Sequence, residues 1–508
     1  MKQRGTLAAL PLPKGAKLHE SVLQNMPAFS FDAGAVLQAL RALLPPERLV
    51  TAPAGLYAYD CDGQTLDTAL PLAVAIPETT DEVSRLVKVA AAFGVPFLAR
   101  GAGTGLSGGA VAVGALVIST ARLNRIEEID LENRQAWVGP GVVNAHLSRA
   151  VAHSGLHYAP DPSSQNACTI GGNVAENSGG PHTLKYGVTT NHILGLEVVL
   201  PDGEIVNLGG TALDSPGYDL VSAFVGCEGT FGIATRVLVK LTPLPEGVKT
   251  VLAVFDTVED ACRAVTAILD RGVVPAAVEM IDKTTLQAVE AYTHAGLPLD
   301  AAAVLLVEVD GMVEELAASL DAVVAALEAA GARSLRHAKD EAERLTLWKA
   351  RKQAFGALGR LAPNYYTHDG VIPRTRLPEV LAEIGQIAER HHVTIANVFH
   401  AGDGNLHPVV LYDEREPGAI DRVRAAGDEI LRLVLAVGGS LSGEHGIGIE
   451  KLSYMCDVFS ETDLAEMHRL RAVFDPMGLC NPGKALPHPG RCVELGPGSG
   501  QTRKPVGL

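Results

Sequence analysis

Basic residues are in short supply. The 508-residue chain carries 42 Lys and Arg against 58 Asp and Glu, a formal net charge of −16. Nucleic-acid binding needs a basic footprint, so this balance disfavours that class. Cysteine is scarce and scattered: the seven, at 61, 168, 227, 262, 456, 480 and 492, form no C-x₂-C pair. Without that spacing the chain is not expected to hold an iron–sulfur cluster of its own. An odd, scattered set is no disulfide framework either, and fits a reducing cytoplasm. No run of ~18 or more uncharged apolar residues is present to span a membrane. The N-terminus starts basic, but its short apolar patch is broken by Pro11 and Pro13, so no signal peptide is expected. Any attachment at the inner membrane would have to come through a partner.

Glycine, in contrast, is abundant and clustered. The stretch Arg100-Gly-Ala-Gly-Thr-Gly-Leu-Ser-Gly-Gly109 gives up side chains for backbone freedom. Successive N–H groups can then turn inward as a nest that binds phosphate oxygens. A nicotinamide-type fingerprint would need a strand before the glycines and a helix after them. Val95–Arg100 reads as a strand, but residues 110–119 are apolar and β-branched, a second strand. No Gly-Lys-Ser/Thr follows, so a P-loop is excluded too. A mobile surface loop would fit this run alone equally well.

Two further clusters shift that balance. Residues 158–180 are small and polar, rich in Ser, Asn and Gly, and read as a long irregular loop. Phe224–Ile233 is the third cluster. A long cofactor such as a flavin dinucleotide touches several loops at once; a mononucleotide would not need all three. Between them, Pro201-Asp-Gly203 is turn chemistry joining a hairpin. Length and the 47% apolar content allow two or more domains with a sizeable core, and Pro243-Leu-Pro245 marks a boundary. From Val248 strands and Ala-rich helices alternate, suggesting a ferredoxin-like sheet covered on one face. Glu341–Arg360 reads as one helical segment carrying Trp348, Arg351 and Lys352.

A second constellation lies near the C-terminus. Val393–His400 and Leu406–Tyr412 read as two strands joined by Gly402-Asp-Gly-Asn405. With those four residues as the turn, His400 faces His407 directly across the hairpin. Two imidazoles so placed can share a divalent metal; equally, they can be a polar pair on a sheet surface. Glu444 and His445 sit within Gly438–Gly448, among five glycines. Glu444 can supply a third ligand and His445 can act as a general base near neutral pH. The alternative is a glycine hinge with two exposed polar residues.

Taken together, the chain resembles the flavin oxidases of the p-cresol methylhydroxylase (PCMH) and vanillyl-alcohol oxidase superfamily, in the branch of D-lactate and D-2-hydroxyglutarate dehydrogenases. It is most similar to the flavin subunits of bacterial glycolate oxidases. The carrying motifs are Arg100–Gly109, Ala159-Pro-Asp-Pro-Ser-Ser164, Gly171-Gly-Asn-Val-Ala-Glu-Asn177, Gly226-Cys-Glu-Gly-Thr230, His400–His407, Gly443-Glu-His-Gly446 and Asn481-Pro-Gly-Lys484. The resemblance implies an α+β fold. A PCMH-type FAD-binding domain of two α/β subdomains would span 50–245 and a ferredoxin-like C-terminal substrate (cap) domain 246–487. An N-terminal tail and helix at 1–49 and a tail at 488–508 complete it.

It also implies roles. FAD would be held by Arg100, Gly101, Ala102, Gly103, Thr104, Gly105, Leu106 and Ser107 of the first cluster. The second would add Pro160, Asp161, Ser163, Ser164, Gly171, Gly172, Asn173 and Asn177. The third would add Gly226, Glu228, Gly229 and Ile233, and the C-terminal segment Asn481. Arg351 would grip the substrate carboxylate, His445 would be the base, and His400, His407 and Glu444 would hold a divalent metal, zinc or manganese. No histidine lies between Arg100 and Gly109, so non-covalent FAD is expected. Relatives that take dicarboxylic acids place an extra basic residue near Thr367, which is uncharged here although His368 follows; this favours a small monocarboxylic acid. The expected activity is oxidation of glycolate, or a small D-2-hydroxy acid such as D-lactate, to the 2-oxo acid. Electrons would pass to an iron–sulfur partner or to quinone. Three alternatives stay open: a D-lactate or D-2-hydroxyglutarate dehydrogenase without partner subunits, a metal-dependent hydrolase whose glycine loops bind a nucleotide, and a non-catalytic flavin scaffold.

Overall fold

The computed structural model describes residues 17–212 and 216–489. Residues 1–16 of the expected N-terminal tail, almost all of the C-terminal tail, and Cys492 lie outside the described residues. The chain divides into two compact units. The first takes residues up to 178, 188–243 and from 445 onward; the second takes 179–187 and 244–444. The dividing point in the C-terminal part falls between Glu444 and His445.

Among the described residues the first unit holds two larger sheets and a two-stranded pair, Leu156–His157 with Thr242–Pro243. In the four-stranded one, Ala73–Ala75, Leu116–Ser119 and Phe97–Arg100 run parallel, and Leu49–Val50 joins antiparallel at the edge. A helix, Thr80–Phe93, precedes strand Phe97–Arg100. Thr79 starts it by accepting the Glu82 N–H, and Asp81 and Glu82 suit its positive end. Val83, Leu86, Val87 and Ala90 recur at helical spacing and are buried in one apolar cluster with the sheet. Each large side chain so buried contributes roughly 1.5–3 kcal/mol. The second sheet has five antiparallel strands, including the expected hairpin Ile193–Val199 with Ile205–Gly209. Residues 479–481 lie beside Phe97 in parallel fashion: Phe97 N–H donates to the Leu479 carbonyl at 2.9 Å, and Asn481 N–H to the Phe97 carbonyl at 2.7 Å.

One expectation fails here. Residues 158–180 are not irregular throughout, because Ile170–Glu176 is an α-helix. Its Gly171-Gly172 pair argues against a helix on propensity. Packing overrides this: Ile170 and Val174 are core residues, and the Gly226 and Glu228 N–H groups donate to the Val174 and Ala175 carbonyls at 2.8 Å. Among the described residues five cysteines, at 61, 168, 227, 262 and 480, are free thiols.

The second unit is built on a large antiparallel sheet. Its centre reads Ser334–His337, Gly247–Phe255, Ala303–Gly311, Ala277–Asp282 and Thr394–His400 in spatial order. Helices cover both faces, not one. Leu252, Val254, Val304 and Leu306 pack with Leu286, Val289, Leu347 and Trp348 of the helices Lys283–Thr293 and Glu341–Lys352. The alternate residues Val251, Ala253, Leu305 and Val307 are equally buried, on the side of helices Val258–Asp270 and Val313–Ala329. The expected single helix 341–360 is two, Glu341–Lys352 and Ala354–Leu358, broken at Gln353. Among the described residues no helix is long and apolar enough to cross a membrane.

The histidine hairpin departs from its expected register. His400 pairs with Asn405, and Asn397 with Pro408, so the turn is 401–404. His407 is thus two residues past the partner of His400. A slip of two keeps a side chain on its face, whereas a slip of one would reverse it. The two imidazoles are diagonal neighbours with ring centres 5.1 Å apart.

Candidate active site

In the first unit the glycine loop 101–109 and the segment after His445 interlock. Ser107 offers its carbonyl to the Ile449 N–H at 3.0 Å. A Cβ on Gly448 would collide with that carbonyl, and Gly448 has φ +51°; a Cβ on Gly108 would strike Ile449. Both positions require glycine. Glu228 accepts the Ile447 and Gly448 N–H groups, each at 2.7 Å. Asn481 ties the C-terminal segment in, donating to the carbonyls of Gly109 at 3.0 Å and Glu228 at 2.8 Å. Glu176 is half-buried nearby; removal of its carboxyl from water, helped by the Glu228 and Asp62 charges, pushes its pKa well above the ordinary range.

These residues fit a phosphate-rich cofactor. Ser107 Oγ and Thr169 Oγ1 are buried without a hydrogen-bond partner among the described residues. Orphaned hydroxyls beside a glycine loop are what a ligand's phosphate or ribose oxygens would satisfy. Other expected FAD residues have structural work. Asn173 Oδ1 accepts from Asn144 at 3.0 Å, and Asn144 also donates to the Pro160 carbonyl at 2.9 Å. Asn177 ends helix 170–176 and accepts the Thr190 N–H at 2.9 Å. Ile233 is buried in the apolar core of the first unit, and Ser163 is exposed.

In the second unit six ionisable side chains, Glu279, Arg351, Asp369, His400, His407 and Glu444, gather in the protein interior. Strands Ala277–Asp282 and Thr394–His400 place Glu279 directly opposite His400. His400 Nδ1 lies 2.8 Å from Glu279 Oε1, and its Nε2 lies 3.2 Å from Glu444 Oε1. His407 Nε2 reaches the same Glu444 oxygen at 3.3 Å. Arg351, in the last turn of helix Glu341–Lys352, pairs with Glu279 Oε2 through Nε and Nη2, each at 2.6 Å. Asp369 accepts from Ser442 Oγ at 2.6 Å and from the Gly443 and Glu444 N–H groups, which fixes the backbone at Glu444. Burial alone would lower the pKa of His400, but the Glu279 and Glu444 carboxylates outweigh it and hold it well above its ordinary value.

The donor chemistry suits a divalent cation. Ligand atoms of His400, His407 and Glu444 lie within 4.8 Å of one another. Donors about 2.0–2.1 Å from a tetrahedral zinc are roughly 3.3 Å apart, close to the distances from Glu444 Oε1. Glu279, Glu444 and Asp369 outnumber the Arg351 guanidinium by two, so a divalent cation in place of the proton on His400 would balance the cluster. Glu279 and Asp369 were missed in the sequence. A lone Glu in the apolar strand Ala-Val-Glu-Met-Ile-Asp was the available signal. His445 is half-buried in the first unit, one residue beyond Glu444. Thr367 is buried.

Comparison with known proteins identifies the chain. Residues 71–209 match the FAD binding domain family, and residues 244–485 match the family of FAD linked oxidases, C-terminal domain. The glycolate oxidase subunit GlcD of Escherichia coli is 47% identical over 92% of this chain and 93% of its own length. GlcD of Bacillus subtilis is 41% identical over 86% and 94%. The D-lactate dehydrogenase of Archaeoglobus fulgidus is 34% identical over 86% and 97%. In fold, substrate-bound p-cresol methylhydroxylase matches with a TM-score of 0.77 at 18% identity, over 93% of this chain and 98% of that one. The 4-ethylphenol oxidase of Gulosibacter chungangensis matches with 0.75 at 20%, over 95% and 100%. The fold is thus α+β with a PCMH-type FAD-binding part, and the chain belongs to the FAD-linked oxidases, of the type that includes glycolate oxidase subunit GlcD and D-lactate dehydrogenase.

Proposed function

We propose that this enzyme oxidises a small D-2-hydroxy acid, glycolate foremost, to the 2-oxo acid. The observation that carries this reading is the buried join of Arg351, Glu279 and His400. In this reading an arginine that grips a carboxylate would stand beside a metal-ligand trio. When bound, FAD would accept the hydride at N5, and a divalent metal on His400, His407 and Glu444 would polarise the hydroxyl. Arg351 grips the substrate carboxylate. Glu279 engages its Nε and Nη2, so part of its five N–H donors remain for a second carboxylate. His445 removes the hydroxyl proton. It follows Glu444 directly, and neighbouring Cα atoms are held about 3.8 Å apart.

FAD is held without a covalent bond by the three glycine clusters and Asn481. Electrons leave through an iron–sulfur partner subunit or to quinone. The GlcD relatives are named as subunits, and the chain has no cluster-type cysteine spacing. The protein then works in the cytoplasm, at the inner membrane only through that partner. A second reading, D-lactate dehydrogenase activity without partner subunits, draws on the Archaeoglobus relative. Membership of the FAD-linked oxidases sets the hydrolase aside. An anaerobic screen decides: glycolate should bleach the flavin of the purified chain faster than D-lactate, L-lactate or D-2-hydroxyglutarate. D-lactate as the faster substrate would establish the second reading, and no bleaching by any of them would leave a scaffold.

A further inference from the structure

Glu279 is fully buried and stands between two groups with different tasks. One oxygen faces the imidazole of His400 at 2.8 Å, and the other faces the guanidinium of Arg351 at 2.6 Å. An ionised carboxylate only accepts hydrogen bonds. His400 must therefore carry a hydrogen on Nδ1, and its Nε2 is the atom that reaches toward Glu444. The same carboxylate takes the Nε edge of Arg351, which fixes the plane of the guanidinium. Three elements converge on this one side chain: its own strand, the paired strand ending at His400, and the last turn of helix Glu341–Lys352.

We propose that Glu279 is a positioning residue that couples the carboxylate grip of Arg351 to the metal-ligating state of His400. This rests on the hydroxy-acid reading above. Carboxylates behind ligand imidazoles set their orientation and basicity. Here that carboxylate is shared with the substrate-binding arginine, so disturbing one partner must disturb the other.

Glu279→Gln is the direct test. Glutamine keeps the volume but has one acceptor oxygen for two donors. If its NH₂ faces His400, the imidazole needs its lone pair on Nδ1 and carries hydrogen on Nε2, where it cannot ligate. If the NH₂ faces Arg351, two N–H groups oppose and the guanidinium moves. The full-length, FAD-loaded chain, stripped of metal, is dialysed against Zn²⁺ or Mn²⁺, and glycolate kinetics are measured alongside. E279Q should bind metal about 10–100-fold more weakly, raise KM for glycolate, and keep its FAD content. R351K leaves Glu279 intact and touches no metal ligand, yet it should weaken metal binding several-fold. It therefore serves even if E279Q fails to fold. Metal affinity within twofold of the parent, in R351K and in any folded E279Q, would overturn the coupling while the parent's own metal uptake upholds the metal reading. A parent that takes up neither metal would overturn both.

Discussion

Residue by residue, His445 bears the most direct consequence. As the proposed base it should matter to chemistry and not to cofactor loading. His445→Asn is expected to retain FAD and to slow anaerobic flavin reduction by glycolate by about 10²–10⁴-fold; stopped-flow absorbance at the flavin band measures it, and an unchanged rate would remove His445 from the mechanism. Arg351 calls for a gentler substitution. Truncating one partner of a buried ion pair leaves the other charge unpaired, at about 3–5 kcal/mol, which would confuse binding with folding. Arg351→Lys keeps the charge and loses the fork, so KM for glycolate should rise on the order of 10–100-fold, with less change in kcat. Steady-state kinetics would separate the two. Arg351 entered only through the family resemblance, whereas the histidines and Glu444 could be picked out in the sequence because rare chemistry stood in a recognisable setting. Glu279 and Asp369 could not, because their importance lies in partners 72 or more positions away, Arg351 and Ser442.

At the scale of single elements, the strand Gly247–Phe255 and its neighbour Ala303–Gly311 carry a buried acid. Thr250 and Glu308 are cross-strand partners. Burial alone would raise the Glu308 carboxyl, but hydrogen bonds from His182, Thr250 and Trp348 and the Arg344 charge outweigh it and bring its pKa down to about 2. A depressed carboxylate adds stability that is complete above the ordinary pKa of Glu and is lost as pH falls toward the folded value. Unfolding stability should therefore decline between about pH 4.5 and 2, by on the order of 3 kcal/mol from this group. Urea titrations at stepped pH would show it, and Glu308→Gln should flatten that part of the profile; an equal slope in the variant would refute the assignment. The start of helix Thr80–Phe93 is legible in the sequence, since Thr79 and the acids after it are cap chemistry. Helix Ile170–Glu176 was not, because Gly226 and Glu228 support it through contacts over 50 residues away in sequence. The hairpin offset escaped notice for another reason. Residues 400–408 allow a turn at 401–404 or at 402–405, and only the neighbouring strands decide between them.

For the whole molecule, the glycine loops and the histidine trio belong to different stretches and to different compact units. The motifs made the α+β class and the flavin family readable. What they could not supply was the packing that holds each unit together, such as Ser107 against Ile449, 342 positions apart by numbering (449 − 107). That separation gives a prediction no single substitution offers. The residues proposed to hold FAD belong to the first unit, whereas the proposed metal rests on His400, His407 and Glu444 of the second. A chelator should therefore uncouple them. Treatment with EDTA followed by desalting is expected to leave the flavin spectrum and FAD content intact while abolishing bleaching by glycolate, and added Zn²⁺ or Mn²⁺ should restore it. Metal-ligand sites commonly hold their ion through deprotonated donors, so EDTA should act faster at pH 5.5 than at pH 7.5, where protons compete less for the donors. Full bleaching after exhaustive chelation would mean that the His400, His407 and Glu444 trio acts without a metal. Loss of FAD along with the metal would mean that the two cofactors are not held independently.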